Sequence, residues 1–211
     1  VYRGLKPVHW SIENQTALAE AELEYYDRED TSVFVKFDRV DGQGALMIWT
    51  TTPWTLPANL AVAVHERYEY GEYEVNGKTI VVAVELANKV LGDVGEPKKI
   101  IKGSELLGVE YKHPFVDRVG KVVSADYVTL EDGTGLVHTA PGHGVEDYQT
   151  GLREGLDVYC PVKDDGTFDD TAPAWLRGIS VWKGNDLVVE KLRESGHLFH
   201  AEQFSHSYPH D

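Results

Sequence analysis

A succession of short β-forming runs, each cut off by turn residues, constrains this chain most. "SVFVKF" alternates apolar and polar positions as a half-buried strand does. "ALMIWTT" is apolar throughout, bounded by "DGQG" before it and Pro53 after it, and reads as a strand buried on both faces. "LAVAVH", "YEYGEYEV" and "KTIVVAV" follow, the last two separated by Asn76-Gly77, the strongest short hairpin signal. "KVVSADYVTL" and "GLVHTA" read as two more strands joined by "EDGTG".

Helical patterns lie between and around these runs. "NQTALAEAELEYYD" offers a cap at Asn14 or Thr16 and then strong helix formers, which predicts a short helix. "ELANKVLG" predicts a short helix ending on Gly92, and "GVEDYQTGLREG" one stopped by Gly155. "GNDLVVEKLRESG" is the clearest, with Leu187, Val188 and Leu192 on one face and Gly196 past its end. "HLFHAEQFSHSYPH" closes the chain as an extended segment. Many short strands with few helices predict a mainly β fold, a β-barrel core or strongly curved sheet with peripheral helices and some α+β character. At 211 residues the chain suits one domain.

Composition excludes several classes. There are 20 basic and 35 acidic residues, a net charge of −15, which argues against free-standing nucleic-acid binding, since that rests on phosphate neutralisation. A small site for one nucleotide end stays open. No apolar run approaches the ~20 residues of a membrane span, and "VYRGLKPVHW" has no apolar signal-peptide core, so no membrane partner and a cytoplasmic setting are expected. A single cysteine, Cys160 in "DVYCPV", rules out an internal disulfide and reads as a packed thiol in a strand. No GxSxG elbow, P-loop or GxGxxG follows a strand.

Two polar stretches remain. In "IWTTTPWTLPAN", three threonines end a strand and Pro53, which lacks an N–H, stops the ladder. Short hydroxyls there can face a cavity, though alternation along a strand would turn Thr51 away from Thr50 and Thr52. In "HTAPGHGVEDY", His138, His143, Glu146 and Asp147 surround a Pro-Gly turn leading into a helix. His138, His143 and Asp147 would permit a metal-dependent hydrolase, but their spacing matches no zinc motif. A polar loop capping a helix is the plain alternative.

Taken together, "WTTTPWTLPAN" and, some eighty residues later, "GTGLVHTAPGHGVEDY" resemble the editing domain of isoleucyl-tRNA synthetase, a class I enzyme. Thr52 before Pro53, with Trp54 after it, favours the isoleucyl over the valyl and leucyl members. "YRGLKPVHWS" and "ALAEAELEY" resemble the segment arriving from the catalytic domain, within residues 1–30, and "HSYPHD" the segment returning to it, within residues 200–211; residues 1–211 would form one editing domain. The chain has neither His-Ile-Gly-His nor Lys-Met-Ser-Lys-Ser, the marks of the synthetic site, which in the full-length enzyme binds ATP.

The resemblance implies the valyl/isoleucyl/leucyl editing-domain fold and an aminoacyl-ester hydrolase that proofreads translation. It implies partners as well: the 3′-end of isoleucine tRNA mischarged with valine, possible valyl-adenylate, and the rest of the synthetase. By the same resemblance Thr50, Thr51 and Thr52 hold the terminal adenosine, the aminoacyl group and the attacking water. Asp147 anchors the substrate ammonium and His138 gates side-chain size, while Trp49, Thr55 and Asn59 are further pocket positions. No cofactor and no metal are expected. His143 and Glu146 read as structural. A module that only docks the tRNA end without catalysis is the remaining alternative.

Overall fold

A computed structural model describes residues 4–210. Val1, Tyr2 and Arg3 of the arriving segment and Asp211 of the returning one lie outside the described residues. A small hairpin of β1 (His9–Ser11) and β2 (Thr16–Leu18) precedes one ten-stranded sheet. In it β3 (Glu24–Asp38) pairs antiparallel with β4 (Ala45–Thr50) on one side and with β12 (Leu198–His210) on the other. The far edge of β4 is shared. Its start runs parallel to β7 (Lys78–Ala83) through Ala45 and Leu46, and its end runs parallel to β11 (Val137–Thr139) through Trp49. Beyond β11 come β5 (Ala61–Val64), β10 (Val119–Ser124) and β9 (Glu110–Lys112). The sheet then curls back on itself: Val40 N donates to Glu110 O at 2.9 Å, and Arg39 and Tyr111 form an antiparallel bridge. A closed barrel results, with β6 (Glu69–Val75) and β8 (Lys99–Lys102) extending it beyond β7.

The apolar runs of the sequence explain this closure. On β4, Leu46 and Ile48 enter the barrel core beside Val35, Phe37, Val62 and Tyr111, while Ala45 and Met47 enter a second cluster with Ile80 and Val82. A strand that feeds two cores must be apolar at every position, as "ALMI" is. Burying Leu46 and Ile48 alone contributes roughly 1.5–3 kcal/mol each. Asn76 and Gly77, with φ of 51° and 78°, make the turn between β6 and β7. Both central residues of such a turn need positive φ, hence Asn-Gly.

The helices lie at the periphery: α1 (Ala87–Leu91), α2 (Gly103–Leu106), α3 (Val145–Glu154) and α4 (Val181–Glu194). The first ends on Gly92, and α3 ends on Gly155 in the left-handed conformation, both as the sequence predicts. On α4, Val188 and Leu192 are fully buried and Leu187 packs against the same core. Ser180 caps this helix by accepting from Lys183 N.

Three expectations fail. Residues 14–27 form no α-helix: they hold β2, a single 3-10 turn at Glu20–Glu22 and the start of β3. Those residues are largely exposed, so a helix there would have no apolar face to bury, and helices draw most of their stability from such burial. Pairing of β2 with β1, and of residues 24–27 with β12, supplies backbone ladders instead. Next, "KVVSADYVTL" is a strand only to Ser124; β5 separates it in the sheet from the strand of "GLVHTA". Finally, Cys160 is exposed and outside any strand.

Candidate active site

Where β4 parts from β7 to meet β11, a cleft of about 390 Å³ opens. One wall is the end of β4 and the turn that follows. Trp49, Thr50, Thr51, Thr52 and Thr55 all line it, and the chain bends at Thr51 as the strand ends. Pro53 then starts a 3-10 turn through Ala58. The first hydroxyls order the wall. Thr50 Oγ1 accepts from Thr52 N at 3.1 Å, and the Thr52 hydroxyl lies 3.4 Å from those of both Thr50 and Thr55. From outside, Asn185 of α4 accepts from Trp54 N at 2.9 Å, and Arg118 donates to the carbonyls of Pro57 and Asn59. His113, which burial drives down to a pKa of about 3 and so keeps neutral, donates from Nε2 to Leu56 O at 2.8 Å.

The opposite wall is β11 with the loop before it and the turn after it. The "EDGTG" loop is held by Ala83 N, which donates to Thr134 O, and by the Tyr70 hydroxyl, which donates to Gly135 O at 2.8 Å. At Gly135, φ is +78° and a Cβ would stand 2.4 Å from that of Ala83, so only glycine fits. His138 is buried and both its ring nitrogens are engaged: Nε2 lies 2.9 Å from Thr55 Oγ1, and Nδ1 lies 2.8 Å from Asn59 Nδ2. Burial, then the neighbouring His143 and His113, brings its pKa down to about 3. The ring is a neutral, fixed wall at neutral pH.

Asp147, in the first turn of α3, also lines the cleft. Its Oδ2 accepts from Ala140 N at 2.8 Å. Burial pushes its pKa up to about 6, against that hydrogen bond and with help from the nearby Glu146. Among the described residues no basic side chain forms an ion pair with it, and no lysine or arginine lines the cleft, whereas Glu146, Asp147 and Asp132 do, the last paired outside the cleft lining with Lys89 at 2.7 Å. Such a cleft favours a cation and disfavours a phosphate.

Of the eight expected site residues, seven line this cleft. Asn59 does not: it sits behind His138, 1% exposed, its amide taken up by His138, Ala61 O and the Tyr111 hydroxyl. His143 and Glu146, read from the sequence as structural, line the cleft too. His143 packs edge-on against Trp54, its ring centroid 5.1 Å away, and its buried Nε2 has no hydrogen-bond partner. Tyr127, Thr129 and Asp132 also line it. No local pattern marks these three, because each reaches the cleft by the path of the loop after β10. The described residues contain no group of three His, Cys, Asp or Glu side chains placed to hold a metal ion, and the engaged nitrogens of His138 leave it no lone pair for one.

The sequence family of tRNA synthetases class I (I, L, M and V) matches residues 1–200. The chain belongs to the class I tRNA synthetases. Within that family it is similar to isoleucine–tRNA ligases: 52% identical to that of Sulfurihydrogenibium sp. (strain YO3AOP1) over 99% of this chain and 23% of the relative, and 51% identical to that of Fervidobacterium pennivorans over 100% and 23%. The isoleucine–tRNA ligase of Aquifex pyrophilus is 43% identical over 99% of this chain and 44% of its own length. The chain thus spans from just under a quarter to under half of these synthetases. The crystal structure of GlLeuRS-CP1 superposes with a TM-score of 0.65 over 84% of this chain and 100% of that one, at 15% identity, and shows that this synthetase segment has the fold of a leucyl-tRNA synthetase connective peptide. Among the described residues no helix is long and apolar enough to cross a membrane.

Proposed function

We propose that this cleft hydrolyses the ester of valine mischarged onto isoleucine tRNA, as a proofreading module of a cytoplasmic isoleucyl-tRNA synthetase. The observation that carries the reading is the convergence of an unpaired carboxylate, a threonine wall and a rigid neutral ring on one small cleft. An aminoacyl ester at a tRNA end presents an ammonium, a carbonyl, ribose hydroxyls and a side chain. Asp147 suits the ammonium through a charge-assisted hydrogen bond. Thr50, Thr51 and Thr52 suit the ribose, the carbonyl and an ordered water. His138 suits the side chain as a stop.

The need for such a site follows from sterics. One methylene in a hydrophobic pocket is worth only ~1–3 kcal/mol, the isoleucine–valine pair being the standing example, so a synthetic site passes some valine. A second cleft can reject the larger side chain by a wall that attraction cannot move. In this reading no protein nucleophile takes part: His138 has no free nitrogen and Cys160 does not line the cleft. Asp147 fixes the ester so that a bound water meets the carbonyl carbon. The paired strands β3 and β12, adjacent from Val35 and Leu198 out to Glu24 and His210, lead to and from the rest of the synthetase.

The test is deacylation of valyl-tRNA(Ile) and isoleucyl-tRNA(Ile) by this chain, with and without chelator. Cleavage of the valyl ester only, insensitive to chelator, is expected. Chelator-sensitive cleavage restored by zinc would favour a metal-dependent hydrolase, and cleavage of neither ester would favour a docking module.

A further inference from the structure

Behind the cleft, a line of protons can be followed atom by atom. Asn59 Nδ2 lies 2.9 Å from Ala61 O, a group that can only accept, so this end of the amide is the donor. The same Nδ2 lies 2.8 Å from His138 Nδ1, which must therefore accept. A neutral imidazole that accepts at Nδ1 carries its proton at Nε2. That proton faces Thr55 Oγ1 at 2.9 Å. Thr55 can receive it because its own proton goes to Thr52 O, another obligate acceptor, at 2.9 Å. At the far end, Asn59 Oδ1 accepts from the Tyr111 hydroxyl at 2.6 Å. Tyr111 is wholly buried on β9, and its ring stacks on Phe37 at 5.1 Å. Each proton in this line has one acceptor, the two of Asn59 Nδ2 going to Ala61 O and His138 Nδ1, so the amide cannot flip without setting its Oδ1 against Ala61 O.

We infer that Tyr111, which does not line the cleft, is a positioning residue for size selection: through Asn59 it holds the His138 ring in one orientation and with its proton at Nε2. Without the Tyr111 hydroxyl, Asn59 Oδ1 is buried and unpaired, a state a side chain escapes by rotating. Rotation takes Nδ2 away from His138, and the ring gains freedom where it must act as a wall. Sequence gives no hint of this, since Tyr111 stands 27 residues from His138 and 52 from Asn59. The selectivity consequence rests on the proposed hydrolysis; the proton placement does not.

Proton–nitrogen correlation spectra of the imidazoles test the placement directly. The unaltered chain should show His138 with a protected Nε2–H and a bare Nδ1; a proton on Nδ1 overturns the inference. In Tyr111→Phe the Nε2–H signal should broaden or vanish, and kcat/KM for the isoleucyl ester should rise at least about tenfold relative to the valyl ester, the ratio that ~1.4 kcal/mol represents, with kcat for the valyl ester nearly kept. A merely structural tyrosine would lower the melting temperature and leave both the signal and the ratio as they were, which overturns the inference. If Tyr111→Phe does not fold, Asn59→Ser carries the same two readouts with the same expectations. If neither ester is cleaved by the unaltered chain but the Nε2–H is present and lost in Tyr111→Phe, the hydrolysis reading fails and the positioning role of Tyr111 stands.

Discussion

His138 Nε2 lies 2.9 Å from the hydroxyl of Thr55, and the two residues, 83 apart in sequence, join the opposite walls of one cleft. Thr55 follows the end of β4, and His138 lies on β11, the strand that takes over the edge of β4 where β7 leaves it. The hydrogen bond thus sits at the fork of the sheet and sets how far apart the walls stand.

Replacing His138 with alanine removes the ring from that fork. The extra methylene of isoleucine, which a packed wall rejects at a cost of ~1–3 kcal/mol, should then be admitted. The ratio of isoleucyl to valyl ester cleavage is expected to rise roughly tenfold or more, with valyl cleavage surviving. An unchanged ratio with a folded variant would place the size limit elsewhere, with Trp49 or Thr55.

Asp147 must be ionised to hold an ammonium, and its pKa stands at about 6 in the folded protein. Valyl ester hydrolysis should therefore rise as pH passes upward through about 6. It should stop rising where the substrate amine, ordinarily ~7.7–8.0, begins to lose its proton. Asp147→Asn should abolish the acid limb and lower kcat/KM at least about a hundredfold, the scale for losing one charged partner in a buried site. A pH–rate profile of both proteins checks it.

Stability should move the other way. A carboxyl whose folded pKa is raised binds its proton more tightly when folded, so the associated stability is fully present below about 3.8 and is lost as pH rises through about 6. Asp147→Asn, which keeps an acceptor for Ala140 N, should stabilise the ligand-free chain by roughly 1–3 kcal/mol at about pH 8 and by little at about pH 3. Denaturant melts at the two pH values would show it; equal stability at the higher pH would mean the carboxylate is better solvated than its burial suggests.

Thr50→Val deletes the oxygen that accepts from Thr52 N while keeping the shape. The Thr52 amide left behind is half-buried, and a loss of about 1 kcal/mol is expected. Because the Thr52 hydroxyl loses a neighbour at the same time, ester cleavage should fall by more than stability alone explains. Thr50→Ser, which restores the oxygen, should recover most of both.

Gly135→Ala places a methyl group against Ala83 in a backbone conformation with φ of +78°. Strain and overlap together should cost ~1–3 kcal/mol and push the 133–135 loop away from β7. That loop is part of the cleft, so a destabilised variant should also lose selectivity, measured as the ratio of the two ester cleavage rates.

What the sequence determined by itself is what a few neighbouring residues can decide. Asn76-Gly77 makes its turn, Pro53 ends its strand, Gly155 stops α3 and "ALMI" is buried on both faces, because each depends on local backbone sterics or on the polarity of a single run. The two motifs, "WTTTPWTLPAN" and "HTAPGHGVEDY", contribute residues to both walls of the cleft. The tertiary structure decided the rest. Helix preference in residues 14–27 amounts to a few tenths of a kcal/mol per residue and yielded to strand pairing, of residues 16–18 with β1 and of residues 24–27 with β12 some 180 residues away. The strands on either side of "EDGTG" do not pair with each other, because β5 lies between β10 and β11. Barrel closure between Arg39 and Tyr111 brought Tyr111 behind Asn59, and so turned Asn59 from a residue of the cleft into a support for His138. Spacing along the chain carries no record of such contacts, since they arise only when a sheet closes and fixes which side chains share an interior.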